Sequence, residues 1–101
     1  MARPVTLVKF VLPSPLWHWG TGAAEVRVFA VAESAEGHPT LGAALHTLRR
    51  VHPTLGRRLC DDHGGIRRHI SMFVCGENAR RLGGLSCALP PGAEVYVLPA
   101  L

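Results

Sequence analysis

The amino-acid sequence predicts an α+β fold, a mixed sheet of four to five strands with one main helix packed on one face. Three observations predict it. Two runs of alternating apolar residues, Val5 to Leu12 and Glu25 to Ala32, flank a segment of chain breakers. One run, from Leu41 to Val51, repeats its apolar residues at helical spacing. Alternation then returns at Ile70 to Val74 and again from Glu94 to the last residues. A chain of 101 residues supports one hydrophobic core, so residues 1–101 read as a single domain. With 48% apolar and only 18% charged residues, the composition excludes intrinsic disorder.

Taken in order, Val8, Phe10 and Leu12 share one face of the first strand and Lys9 takes the other. Pro13-Ser14-Pro15 breaks the ladder because proline has no amide to donate, and Gly20-Thr21-Gly22 supplies the reversal. Between them Leu16, Trp17, His18 and Trp19 form a hairpin tip. Its two tryptophans either cap the core or face a partner, and capping is the commoner use of so much aromatic area. In the second strand Val26, Val28 and Ala30 alternate with Arg27, Phe29 and Val31, so the two strands should pair antiparallel.

Ser34 to Pro39 is a polar turn, after which Thr40 can cap a helix. Leu41, Ala44, Leu45, Leu48 and Val51 make one apolar stripe, with His46, Arg49 and Arg50 facing outward. Pro53 ends that helix, and Leu55 and Leu59 suggest one further helical turn. Asp61-Asp62-His63-Gly64-Gly65 reads as a polar loop, Ile70 to Val74 as a strand that stops at Cys75-Gly76-Glu77-Asn78, and the segment through Gly83-Gly84 to Pro90-Pro91-Gly92 as compact turns. The final strand turns Val95 and Val97 toward the core and Tyr96 and Leu98 away from it.

Several function classes are excluded or disfavoured. The net charge of +4 rests on arginines, Lys9 being the sole lysine. The pairs Arg49/Arg50, Arg57/Arg58, Arg67/Arg68 and Arg80/Arg81 are spread through the chain, which reads as a solvated basic surface and not as a nucleic-acid site. No run is long and apolar enough to span or anchor in a membrane, and Met1-Ala2-Arg3-Pro4 opens no signal-peptide pattern, so a cytoplasmic protein with free thiols at Cys60, Cys75 and Cys87 is expected. Cys60, Asp62, His63, His69 and Cys75 carry zinc-type donors but lack a paired ligand spacing, and no metal site is assigned. Cys75 is also a candidate reactive thiol, although nothing near it in sequence lowers its pKa. No nucleophile-and-base pattern or phosphate loop appears, so the protein is not expected to be an enzyme.

A hairpin, a crossover helix and returning strands outline a β-grasp fold. Thr40-Leu41-Gly42-Ala43-Ala44-Leu45, His52-Pro53-Thr54-Leu55 with Arg58-Leu59, Ile70 through Glu77, Gly83-Gly84-Leu85, Gly92-Ala93-Glu94-Val95 and Leu98-Pro99-Ala100 together resemble the MoaD/ThiS family of ubiquitin-like sulfur carriers, and look closest to its cysteine-biosynthesis branch. The resemblance covers nearly the whole chain. It implies a C-terminal carboxylate that is adenylated by a ubiquitin-activating-like adenylyltransferase using ATP, converted to a thiocarboxylate, and presented to a sulfur-accepting biosynthetic enzyme. It implies no cofactor bound by the carrier itself.

On that reading the tail is Leu98, Pro99, Ala100 and Leu101, and the partner-binding residues are Phe73, Tyr96 and Leu98 with Val11 beside them, on the sheet face that a single helix leaves open. Family tails end in Gly-Gly, which threads a narrow channel because it has no Cβ. The sequence given ends at Leu101, and the internal pairs Gly64-Gly65 and Gly83-Gly84 read as turns, since cleavage at either would remove core strands. The alternative expectation is a β-grasp interaction module that binds through the same face without carrier chemistry.

Overall fold

The structure, a computed structural model, describes residues 3–33 and 37–99. The first strand, β1 (Val5–Val11), pairs antiparallel with β2 (Glu25–Val31), and Phe10 lies opposite Val26. Helix α1 (Leu41–Val51) is followed at once by α2 (Pro53–Leu59). Strand β3 (Ile70–Val74) turns into the two-residue β4 (Glu77–Asn78), and β5 (Glu94–Pro99) ends the described chain. The five strands lie in the order β2-β1-β5-β3-β4. The two central strands, β1 and β5, run parallel, with Phe10 opposite Val95, and β3 pairs antiparallel with β5. This is the mixed sheet expected from the alternation, at the upper end of the strand count.

Strict alternation gives the sheet two unlike faces. On one, Val8, Phe10, Val26, Val28, Ile70, Met72, Val74, Val95 and Val97 are buried against Leu41, Ala44, Leu45, Leu48, Leu55 and Leu59 of the two helices. Each large aliphatic side chain so buried contributes on the order of 1.5 to 3 kcal/mol before entropy is set against it. Thr40 caps α1 as its sequence suggests, its Oγ1 accepting from the Ala43 amide at 3.1 Å. The start of α1 is also tied to the segment before β5, where Leu41 donates to the Cys87 carbonyl at 2.8 Å.

Three local expectations change. Val51 is 59% exposed, because it sits on the flank of the apolar stripe at the last residue of α1. Pro53 ends α1 but also occupies the first turn of α2, where its missing amide costs nothing, so the further turn is a full short helix. The segment from Ser14 to Trp19 is a 3-10 helix. Trp19 packs on the core while Trp17 stays 39% exposed, its Nε1–H donating to the Leu12 carbonyl at 2.8 Å, so only Trp19 caps the core as expected. The polar turn assigned to Ser34–Pro39 lies partly outside the described residues.

Cys75 and Gly76 link β3 to β4 with φ of 52° and 81°, and Val74 pairs with Glu77 across them. Two consecutive positive φ values are what a two-residue hairpin turn of matching twist requires, and Cys75 takes the first of them where asparagine is usual. The pairs Gly64-Gly65 and Gly83-Gly84 lie in turns as expected, with positive φ at Gly64, Gly83 and Gly84.

Candidate functional site

Among the described residues the other face of the sheet carries no helix. Its residues come from the odd-numbered positions of β1, β2 and β3 and the even-numbered positions of β5, and the register brings them into rows. Val11 lies opposite Tyr96, and Tyr96 opposite Phe73 on the far side, so three side chains from three strands make one row. Leu98, opposite Ser71, continues the row's apolar surface along β5 toward the tail. Tyr96 and Leu98 are 46% and 45% exposed, whereas Val11 and Phe73 are half-buried. The four residues assigned from sequence to partner binding are thus brought together on the open face. Pro99 follows as the last described residue, and Ala100 and Leu101 lie outside the described residues.

A polar band crosses the middle of this face. Lys9 Nζ lies 2.7 Å from Glu94 on one neighbouring strand and 3.1 Å from Glu25 on the other, and Arg27 joins Glu25 at 3.3 Å. The hydrogen bonds to Glu94 and Glu25 raise the Lys9 pKa above its ordinary 10.5, and the bond from Lys9 lowers that of Glu94 below 4.5. Beyond the band lies a second apolar patch, Val5, Leu7, Phe29 and Val31, with Phe29 60% exposed. Alternation placed these side chains outward, but only the pairing of β1 with β2 shows that they form one surface.

The tail leaves this face at a distinct place. Pro99 pairs with Ile70 and borders a cleft of about 190 Å³ lined also by Pro13, Leu16, Trp19 and Arg58. Arginines that stand apart in sequence gather here on the surface. Arg57, Arg58 and Arg67 line an adjoining cleft of about 520 Å³ with Trp19 and His69, and Arg80 reaches the Arg67 carbonyl at 3.2 Å. The turn and loop joining α2 to β3 bring the pairs together, a fold-level event that linear spacing does not show.

The remaining candidates do not converge. Cys60 and Cys87 are in the core, where burial raises both thiol pKa values and makes them poor nucleophiles. Cys75 is exposed on the β3–β4 turn. Asp61 spends Oδ1 on the amides of His63 and Gly65, at 2.9 and 3.0 Å, which lowers its pKa below 3.8. Among the described residues no three His, Cys, Asp or Glu side chains come close enough to share a metal ion, and no helix is long and apolar enough to cross a membrane. Among the described residues the open face with the strand end beside it is an arrangement suited to docking and to presenting a terminus.

Comparison with known proteins agrees with that geometry. No family model matches the chain. The sulfur carrier protein CysO of Mycobacterium tuberculosis, like that of Mycobacterium bovis, is 36% identical over 70 residues, which cover 67% of this chain and 74% of the relative. The crystal structure of M. tuberculosis CysO superposes with a TM-score of 0.73 at 31% identity, over 93% of this chain and 99% of that one. The crystal structure of the small archaeal modifier protein SAMP1 from Haloferax volcanii gives a TM-score of 0.71 at 29% identity, over 94% and 96%.

Proposed function

This chain belongs to the MoaD/ThiS family of ubiquitin-like sulfur carriers, in the branch of CysO, and we propose that it carries sulfur as a thiocarboxylate formed at the end of the polypeptide beyond β5. It is a carrier and not an enzyme, and its β-grasp fold is a rigid handle. In the first step the terminal carboxylate attacks the α-phosphorus of ATP, releasing pyrophosphate and leaving an acyl-adenylate. Sulfide supplied by a donor then attacks the acyl carbon, and AMP leaves with the electron pair of the broken C–O bond. The adenylyltransferase provides the nucleotide site, and a biosynthetic enzyme accepts the sulfur in a third step.

The observation that carries this reading is the position of the strand end. Strand β5 is central, paired on both sides and buried at Val95 and Val97, so the chain beyond Pro99 starts from a fixed origin. A terminus that must reach into a partner's active site gains from such anchoring, because the rigid body does not have to be ordered again on docking. Val11, Phe73, Tyr96 and Leu98 supply the docking surface beside it, with aromatic area of the kind that dominates interface energetics.

The test uses the protein with its native C-terminus, confirmed by intact mass, incubated with the adenylyltransferase of the same organism, ATP and sulfide. We expect the mass to rise by the difference between oxygen and sulfur and pyrophosphate to be released. Complex formation without any mass gain would overturn the carrier chemistry and leave a β-grasp interaction module.

A further inference from the structure

The arginines around Trp19 are held in place without being neutralised. Arg67 Nε donates to the Arg57 carbonyl at 2.7 Å, Arg80 Nη2 donates to the Arg67 carbonyl at 3.2 Å, and the Arg58 guanidinium lies 3.9 Å from the centre of the Trp19 ring. Backbone oxygens and an aromatic face orient these groups but bring no negative charge. Among the described residues every ion pair belongs to the Lys9 band on the open face, and none involves these four arginines. Asp61, just past the end of α2, accepts from two backbone amides and attracts Arg67 without forming an ion pair with it.

Gathering like charges on one side of a small domain costs self-repulsion, which an external anion relieves. Three of the charges, those of Arg58, Arg67 and Arg80, are also held before any ligand arrives, so little conformational entropy is lost there when one binds. Their location selects the ligand. Arg58 lines both the arginine cleft and the smaller cleft bordered by Pro99, so the cationic surface is continuous with the root of the tail. A protein that grips the chain at Pro99 comes close to Arg58.

We propose that Arg57, Arg58, Arg67 and Arg80 form a preorganised cationic face that docks an acidic surface on the protein receiving the tail. This rests on the carrier reading above. The open apolar face ends at Leu98 and the cleft shared with Arg58 borders Pro99, the next residue, and the two surfaces would work differently. Apolar contact holds the complex once formed, whereas the arginines steer the encounter and set the orientation in which the tail meets its channel. Arginine suits the second role, because its planar fork fits carboxylates in one geometry.

Two measurements decide it. The isotope-labelled protein is titrated with a glutamate hexapeptide, and with a lysine hexapeptide as control, while the Arg Nε–H and Trp19 Nε1–H signals are followed. We expect shifts confined to Trp19, Arg57, Arg58, Arg67 and Arg80 with the acidic peptide alone; shifts spread evenly over Arg3, Arg27 and Arg50 as well would overturn the proposal. In the second measurement the association rate with the adenylyltransferase is followed against salt. Arg57→Glu and Arg58→Glu should each slow association about tenfold at low salt and flatten its salt dependence. Arg3→Glu, the same charge change at the opposite end of β1, should slow it less than about twofold.

Equal slowing by all three variants would show that only net charge matters and would sink the idea. A single-stranded oligonucleotide that binds more tightly than the acidic peptide, and is lost in Arg58→Glu, would assign the face to nucleic acid instead. If the wild type gains no sulfur, the carrier reading falls and the peptide titration alone decides the cationic face.

Discussion

Lys9 holds the centre of the open face, and its surroundings explain why a chain otherwise committed to arginine keeps one lysine. Its ammonium reaches Glu94 and Glu25 on the two strands that flank β1, at 2.7 and 3.1 Å, and a compact head on a flexible stem spans both better than a planar guanidinium would. Exposed ion pairs of this kind add little stability, with a median of about 0 to 1 kcal/mol. Their larger effect is to separate two apolar patches that would otherwise merge. The pH dependence follows from the direction of each shift. Glu94 and Asp61 have folded-state pKa values below their ordinary 4.5 and 3.8, so their contributions are complete above those values and are lost as pH falls through the lower folded ones. Lys9 is raised above 10.5, so its contribution is present below that pH and is lost as pH rises through the folded value. Denaturant midpoints recorded against pH should therefore fall on the acid side below 4.5. Glu94→Gln should weaken that fall without abolishing it, because Asp61 still titrates. An unchanged acid limb in Glu94→Gln would mean that the Lys9–Glu94 bond is not formed in solution.

The elements were legible wherever their signal is local. Alternation in Val5–Val11, Glu25–Val31, Ile70–Val74 and Glu94–Pro99 follows from the two-residue repeat of a strand, and the stripe in Leu41–Leu48 from the helical one. Helix α2 was half hidden because Pro53 reads as a stop, and Gly56 is a poor helix former. Both have a second use that only the packing reveals. A Cβ placed on Gly56 would lie 2.8 Å from both Cα and Cγ of Arg49, so glycine is what lets α2 close against α1. Gly56→Ala thus sets two effects against each other. Helix propensity favours alanine by about 1 kcal/mol. The clash is with backbone as well as side chain, and overpacking of that kind costs about 1 to 3 kcal/mol. We expect a net loss, read as a lower denaturant midpoint at unchanged slope. A gain would show that α2 stands further from α1 than the 2.8 Å approach to Arg49 indicates.

At the scale of the whole molecule, the legible part of the site is the part written in one strand. Tyr96 and Leu98 point outward by alternation alone, and Phe73 does so in β3. That Val11 stands directly beside Tyr96 depends on the parallel pairing of β1 with β5, two segments from opposite ends of the chain. The second patch, Val5, Leu7, Phe29 and Val31, and the arginine face both arise from pairings and loop closures between distant residues, so no window of sequence displays them. The two patches make opposite claims on a partner. Along β1, Leu7 beside Phe29 lies four residues before Val11 beside Tyr96, about 13 Å away at the rise of a strand. Pro99 lies three residues beyond Tyr96, about 10 Å in the other direction. A partner that grips Tyr96 and Phe73 therefore has the tail within its footprint, while one centred on Phe29 would have to extend past the polar band to reach it. Tyr96→Ala should weaken binding to the adenylyltransferase by about 2 kcal/mol, the range of an interface hot spot and roughly a thirtyfold loss in affinity. Phe29→Ala should change it by less than about 0.5 kcal/mol. Calorimetric titration of both variants, each first checked for an unchanged denaturant midpoint, measures the difference. A larger effect at Phe29 than at Tyr96 would move the docking surface to the far patch and detach it from the strand end.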